Sequence, residues 1–139
     1  MIGLEPFLWV AGALHGLIAV SNLAAARLYR YRDEMAKVGP FVREVFYVQN
    51  AYIMATVGAL GLACVRFAPD LAGRTPLGRG LSGFLAVFWG ARVAIQLFVY
   101  DREARRHHPV ADRLFLLAFL YLSGVFALAA MKPVGSSAP

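Results

Sequence analysis

Apolar residues along the chain fall into four blocks, and the charged residues fall into the gaps between them. The blocks cover residues 6–26, 45–65, 81–100 and 114–131, and only the third contains a charged residue, Arg92. A helix of roughly 20 residues spans the hydrocarbon core of a bilayer. None of the blocks shows the alternation of a transmembrane strand. The pattern therefore predicts an all-α protein, a four-helix transmembrane bundle.

Helix-breaking residues in the gaps indicate where the spans end. Gly39 and Pro40 separate the first block from the second, and Pro109 precedes the fourth. Short connections favour one membrane domain, residues 1–132, with up-down-up-down topology. We expect loop 67–80, which is rich in Pro and Gly, to lie on the outer, non-cytoplasmic side of the membrane. Residues 133–139 should form a disordered tail.

The composition also favours a membrane protein over a soluble one. The 139 residues are 60% hydrophobic and 16% charged, whereas soluble proteins are about a quarter charged. A net charge of +6 would suggest nucleic acid as the partner of a soluble chain, but here Lys and Arg flank the apolar blocks. Basic residues in that position contact anionic lipid headgroups. We therefore expect membrane lipids, and no nucleic acid, among the partners.

The distribution of basic residues predicts an orientation. Nine Lys and Arg residues lie in loops 27–43 and 101–113, and four lie on the opposite side. Because basic loops remain in the cytoplasm, both termini should lie outside. We predict a multi-pass protein of the bacterial inner (plasma) membrane.

Small residues recur at every fourth position in three blocks, a spacing that lets helices pack closely in lipid. The ridges are Gly12 and Gly16 in the first block, Ala51, Ala55, Ala59 and Ala63 in the second, and Ser82, Ala86, Gly90 and Ala94 in the third. We expect them to join helices of one chain. The alternative is self-association, or contact with other membrane subunits, through one of the ridges.

Arg92 is the residue that best indicates a function. A charge at the middle of the bilayer costs about 2.5–3.5 kcal/mol on insertion scales, so its side chain should face the bundle interior or a polar cavity. Gln96 lies one turn further on the same face of the helix. No block contains Asp or Glu. The nearest acids, such as Asp101, lie at the cytoplasmic edge, so Arg92 should lack a partner of opposite charge.

Polar residues of the other blocks should complete a cleft around Arg92. The predicted ligand-binding residues are Arg92, Gln96, His15, Asn22, Gln49, Asn50 and Tyr52. The ligand of such a cleft would be an amphiphile, namely a lipid, a quinone or a similar molecule. Alternatively, the cleft seats a larger membrane complex in which this chain is an accessory subunit, or the polar groups bond to each other in a purely structural scaffold.

Patterns for catalysis are weaker than the pattern for binding. A Ser-His-acid triad needs a carboxylate beside the histidine, and no block supplies one. Haem held by two histidines of one chain is excluded because His15 is the only histidine within a block. A membrane oxidoreductase or transferase, with His15 as a haem ligand or as an acid and base, is the remaining alternative. We predict no catalytic residue and favour a non-catalytic protein.

Overall fold

The computed structural model describes residues 3–100 and 102–133, and within these ranges it contains helices and no strand. The long helices are α1 (Glu5–Leu28), α3 (Pro40–Arg66), α4 (Pro76–Phe98) and α6 (Pro109–Met131), and the short ones are α2 (Tyr31–Met35) and α5 (Arg102–His107). Each long helix has a proline in its first turn, where the missing N–H leaves no hydrogen bond unmade. The predicted tail lies outside the described residues apart from Pro133.

All four long helices are long and apolar enough to cross a membrane, with mean hydropathies of 1.5 to 2.3. The chain is thus a multi-pass membrane protein, and the prediction of an all-α four-helix bundle is confirmed. All four helices begin before the predicted spans; α3, for example, begins at Pro40 instead of residue 45, whereas α4 ends at Phe98, before the predicted end at residue 100. The helical backbone therefore continues from the hydrocarbon into the charged flanks, which a count of apolar residues alone does not show. The alternation of all four spans across the membrane stays a prediction.

Helices α1 and α3 form one pair, whose backbones approach each other most closely at Gly12 and Gly61. A Cβ atom on Gly61 would lie 2.9 Å from the His15 Cβ and 3.0 Å from the carbonyl oxygen of Gly12. A Cβ on Gly12 would contact Val65 and Cys64. Residue numbers rise along α1 as they fall along α3, so the two helices are antiparallel. Two glycines on facing helices thus permit the contact.

The small-residue ridges of the first two blocks coincide only in part with this contact. Gly12 lies in it, but a Cβ on Gly16 would meet nothing within 4 Å. Three members of the second ridge, Ala51, Ala55 and Ala59, are exposed. Their exposure follows from the rotation of α3, which directs Val57, Gly61 and Cys64 towards the bundle. Self-association through the alanine face is not tested by this arrangement and stays a prediction.

Helices α4 and α6 form the second pair, and two members of the predicted ridge, Ala86 and Gly90, face the partner helix. Of the other two, Ser82 bonds to Leu71 and Ala94 is exposed. The Ser123 hydroxyl donates a hydrogen bond to the carbonyl oxygen of Ala86 at 3.0 Å. A Cβ on Gly90 would lie 3.3 Å from the Ser123 Oγ. A Cβ on Gly83 would lie 3.7 Å from the Cβ of Ala130. Gly83 precedes Gly90 along α4, whereas Ala130 follows Ser123 along α6, so these helices also run antiparallel.

The connection between α3 and α4 is folded, where the sequence predicted only a loop. A short helical turn, Asp70–Arg74, is interrupted at Gly73 by a φ of +94°, a conformation that favours glycine. Leu71 is buried at 2% exposure, and its carbonyl oxygen accepts a hydrogen bond from the Ser82 hydroxyl at 2.8 Å. The turn is thereby fixed to the beginning of α4, and it also packs against the end of α6.

Candidate functional site

The candidate site lies along one stripe of α4 formed by Trp89, Arg92 and Gln96, hereafter the α4 stripe. The spacings of three and four residues place these side chains on one face of the helix. Trp89 and Gln96 are buried, at 2% and 3% exposure, and Arg92 is half-buried. Trp89 and Arg92 both contact the Phe119 ring, whereas Gln96 bonds to Asp112.

His15 of α1 meets the stripe at Trp89. The His15 Nδ1 lies 2.7 Å from the carbonyl oxygen of Ala11, which can only accept, so Nδ1 carries the proton. Its Nε2 then accepts a hydrogen bond from the Trp89 indole N–H at 3.2 Å. Both ring nitrogens are satisfied, and the imidazole is neutral in this tautomer. Ligation of a haem iron by His15, which stays a prediction, would have to displace the indole.

Arg92 is held by aromatic rings. Its guanidinium carbon lies 5.0 Å from the ring centre of Tyr100 and 5.1 Å from that of Phe119, distances at which cation–π attraction operates. The Nη1 atom is buried without a hydrogen-bond partner. Within residues 3–100 and 102–133, no carboxylate forms an ion pair with this guanidinium; Asp101 lies outside those ranges. The rings position the charge and leave hydrogen-bonding capacity unused.

Gln96 connects α4 to the beginning of α6. Its Nε2 donates to the backbone carbonyl of Asp112 at 2.9 Å and to the Asp112 carboxylate at 2.8 Å. Its Oε1 is buried without a hydrogen-bond partner among the described residues. Sequence analysis missed Asp112 as a site residue because this carboxylate lies outside the fourth apolar block.

Several aromatic side chains contact each other near the end of the stripe that contains Arg92. Tyr31 of α2 contacts Phe46 at 5.4 Å between ring centres, and Tyr29 contacts His108 at 5.1 Å. Burial raises the pKa of Tyr31 above its ordinary value; Tyr100 and Tyr29 raise it further, and Arg92 opposes the rise. Tyr31 therefore lies within electrostatic range of the guanidinium. Tyr31 was not among the predicted site residues, because it lies in the segment after the first apolar block.

The other predicted site residues lie apart from these contacts. Asn22 and Asn50 are half-buried, Gln49 is exposed, and Tyr52 is 72% exposed. Across the described part of the chain, Asn22, Gln49 and Asn50 form no hydrogen bond that would join them to Arg92. The structure thus brings together Arg92 and Gln96 and, through Trp89, His15. The full seven-residue cleft stays a prediction.

Comparisons of the chain with protein-family models, with curated proteins and with solved structures found no match. The function of this multi-pass membrane protein is therefore argued from the geometry of the α4 stripe.

Proposed function

We propose that this protein binds the headgroup of an amphiphilic ligand, a lipid, quinone or similar molecule, at Arg92 and Gln96. It does so without catalysis, in the bacterial inner membrane, with loops 27–43 and 101–113 in the cytoplasm. One observation carries the proposal. Arg92 Nη1, a donor, and Gln96 Oε1, an acceptor, are both buried without hydrogen-bond partners in the described structure.

The energetic cost of these two atoms supports a ligand. A buried polar atom left without a partner costs about 1–3 kcal/mol, and more when it is charged. Two such atoms on neighbouring turns of one helix would together cost a substantial part of a protein's stability, which is about 5–15 kcal/mol. A headgroup that bonded to both would recover this cost.

The surroundings of the two atoms favour an amphiphile over a water-soluble ligand. On the turns of α4 that lie deeper in the membrane than the buried polar pair, large apolar side chains are exposed, with Phe84 at 63% and Val87 at 72% exposure. A ligand whose headgroup reached Arg92 would lay its apolar chain along this surface. The guanidinium supplies the charge, and Gln96 orients the headgroup through a hydrogen bond.

The experiment removes the charge and counts the ligand that remains. The protein is purified in mild detergent, and bound small molecules are counted by native mass spectrometry. We expect Arg92→Leu to lower the bound amount about tenfold, as the loss of one charged hydrogen bond would. Arg66→Leu is the matched control. Arg66 also lies over an aromatic ring, Phe67, at 5.5 Å, but it is the last residue of a different helix, α3.

The control variant should retain the wild-type amount of ligand. The proposal is wrong if Arg92→Leu carries as much bound amphiphile as the wild type and melts at a higher temperature. That result would identify Arg92 as a strained structural residue.

A further inference from the structure

The orientation of the Gln96 amide is fixed by chemistry. Its Nε2 faces two acceptors, the backbone oxygen and the carboxylate of Asp112, at 2.9 and 2.8 Å. A flipped amide would direct its own oxygen at both and lose both hydrogen bonds. Oε1 must therefore be the atom that faces away from Asp112, and it requires a donor from elsewhere.

Arg92 supplies the complementary requirement one helical turn away. Its Nη1 requires an acceptor, and the rings of Tyr100 and Phe119 hold the guanidinium in position. Side chains four residues apart on a helix have Cβ atoms about 5–6 Å apart. A single headgroup can therefore contact both residues if it has an anionic acceptor at one point and a donor a few bonds away.

Resting on the proposed function, we infer that the ligand is a phospholipid whose headgroup carries a hydrogen-bond donor, with a primary ammonium preferred. The phosphate accepts from Arg92, and the ammonium donates to Gln96 Oε1. An ammonium is preferred to a hydroxyl because a charged donor forms a stronger hydrogen bond. The headgroup thus bridges Arg92 and Gln96 and satisfies both buried atoms at once.

This assignment distinguishes between ligands of the same general class. A quinone ring presents acceptors only, so it would bond to Arg92 and leave Gln96 Oε1 unsatisfied. A choline headgroup has the same phosphate and the same net charge as an ethanolamine headgroup, but its quaternary nitrogen has no N–H. The structure therefore predicts selectivity for the N–H groups of the lipid as well as for its charge.

Tyr100 provides the route by which a headgroup reaches the buried atoms. It follows the end of α4 at Phe98, and its side chain is 47% exposed while its ring covers Arg92. The Tyr100 backbone N–H donates to the carbonyl oxygen of Ile95 at 3.2 Å, so rotation of the half-exposed side chain alone would uncover the guanidinium. A phosphate would take its place, as a stronger partner for the charge than the ring.

The decisive experiment needs no change in the protein. Wild-type protein in detergent is titrated with phosphatidylethanolamine, its N-methyl and N,N-dimethyl forms, and phosphatidylcholine, all with identical acyl chains, and the dissociation constants are measured by native mass spectrometry. We expect the ethanolamine lipid to bind about tenfold more tightly than the choline lipid, as one hydrogen bond to a buried acceptor would require. The largest decrease should accompany the last methylation, which removes the last N–H. Equal affinities along the series would overturn the inference.

Two variants separate this inference from the proposed function. Gln96→Lys keeps a donor for Asp112 but has no acceptor, so the two lipids should bind equally; unchanged selectivity would overturn the inference. Arg92→Leu should weaken both lipids. If it weakens both while the wild type does not select between them, amphiphile binding stands and the donor requirement fails. If it weakens neither, the proposed function itself fails.

Discussion

At the scale of single residues, His15 shows how a polar ring is buried at 0% exposure without strain. Its two nitrogens bond to the Ala11 carbonyl and to the Trp89 indole, and its ring contacts Trp89 and Phe126 edge-on. The Trp89 ring in turn stacks on Phe119 at 5.4 Å, which contacts Arg92. The histidine therefore supports Arg92 through two intermediate rings, Trp89 and Phe119.

Trp89→Phe tests this support. The substitution keeps an aromatic ring but removes the indole N–H, which leaves the buried His15 Nε2 without a donor. We expect a loss of about 1–3 kcal/mol in the free energy of unfolding, measured by thermal or denaturant unfolding in detergent. In a double-mutant cycle with His15→Leu, the second substitution should cost much less once the first is present; simple additivity would argue against the bond.

Tyr31 gives a dependence of stability on pH. Its pKa is raised in the folded protein, first by burial, so the folded state holds the phenol proton more strongly than the unfolded state does. The resulting stabilisation is fully present below the ordinary tyrosine pKa of about 10 and is lost as the pH rises through the folded value. The melting temperature should therefore fall above about pH 10, and it should fall less in Tyr31→Phe. An identical pH profile for the two proteins would exclude Tyr31 as the source.

The sequence predicted some of these residues better than others. Arg92 and Gln96 stood out because a charge and an amide one turn apart must both face away from lipid. The partners Trp89 and Asp112 did not stand out, since nothing in a local pattern shows which residues from distant helices meet. Tyr52 was predicted as a ligand-binding residue, but the rotation of α3 is set by its contact with α1, and this rotation leaves Tyr52 exposed.

At the scale of helices, the contact between α1 and α3 depends on two glycines. Gly61→Ala would place a Cβ 2.9 Å from the His15 Cβ, closer than two carbons approach, so the helices must separate. We expect the substitution to lower stability by about 1–3 kcal/mol, a typical cost of overpacking, visible as a lower melting temperature in detergent. His15 would shift with the contact and weaken its bond to Trp89.

Gly58→Ala is the matched control on the same helix. A Cβ there would meet nothing within 4 Å, and alanine favours helix over glycine by about 0.5–1 kcal/mol. Its stability should therefore equal or exceed that of the wild type. If both alanine variants behave alike, close approach of the backbones does not determine this contact.

The same contact shows the limit of ridge patterns. Four alanines at regular spacing in α3 predict a packing face, yet three of them are exposed, and glycine determines the closest approach because only it lets the backbones meet. The folded connection at residues 67–75 was likewise missed, since Pro and Gly indicate a loop whether or not a buried residue such as Leu71 fixes it. Helix number and length were predictable because the bilayer imposes both.

At the scale of the whole molecule, polar contacts join the two helix pairs. One is the His15–Trp89 bond, and another is the hydrogen bond that the Tyr121 hydroxyl donates to the carbonyl oxygen of Phe7 at 3.0 Å. The Asp70–Arg74 turn packs against α1, α4 and α6. The end of the molecule at this turn is therefore fixed to both pairs.

The proposed orientation can be tested with exposed glycines, because Gly3 and Gly39 both have space for a side chain. In intact bacteria, a membrane-impermeant maleimide should label Gly3→Cys, since the N-terminus is proposed to lie outside. It should label Gly39→Cys only after permeabilisation. The reverse result would invert the orientation. The native Cys64 contributes little background because it is fully buried.

The position of Cys64 has a practical consequence. Its thiol is the only one in the sequence and lies in the α1–α3 contact, beside Gly12. The rate at which a small permeant alkylating reagent modifies it therefore measures how often this helix pair opens. The unmodified protein thus contains its own reporter of the opening of this contact. Comparing the alkylation rate with and without bound phospholipid would show whether binding of a headgroup at α4 changes how often α1 and α3 separate.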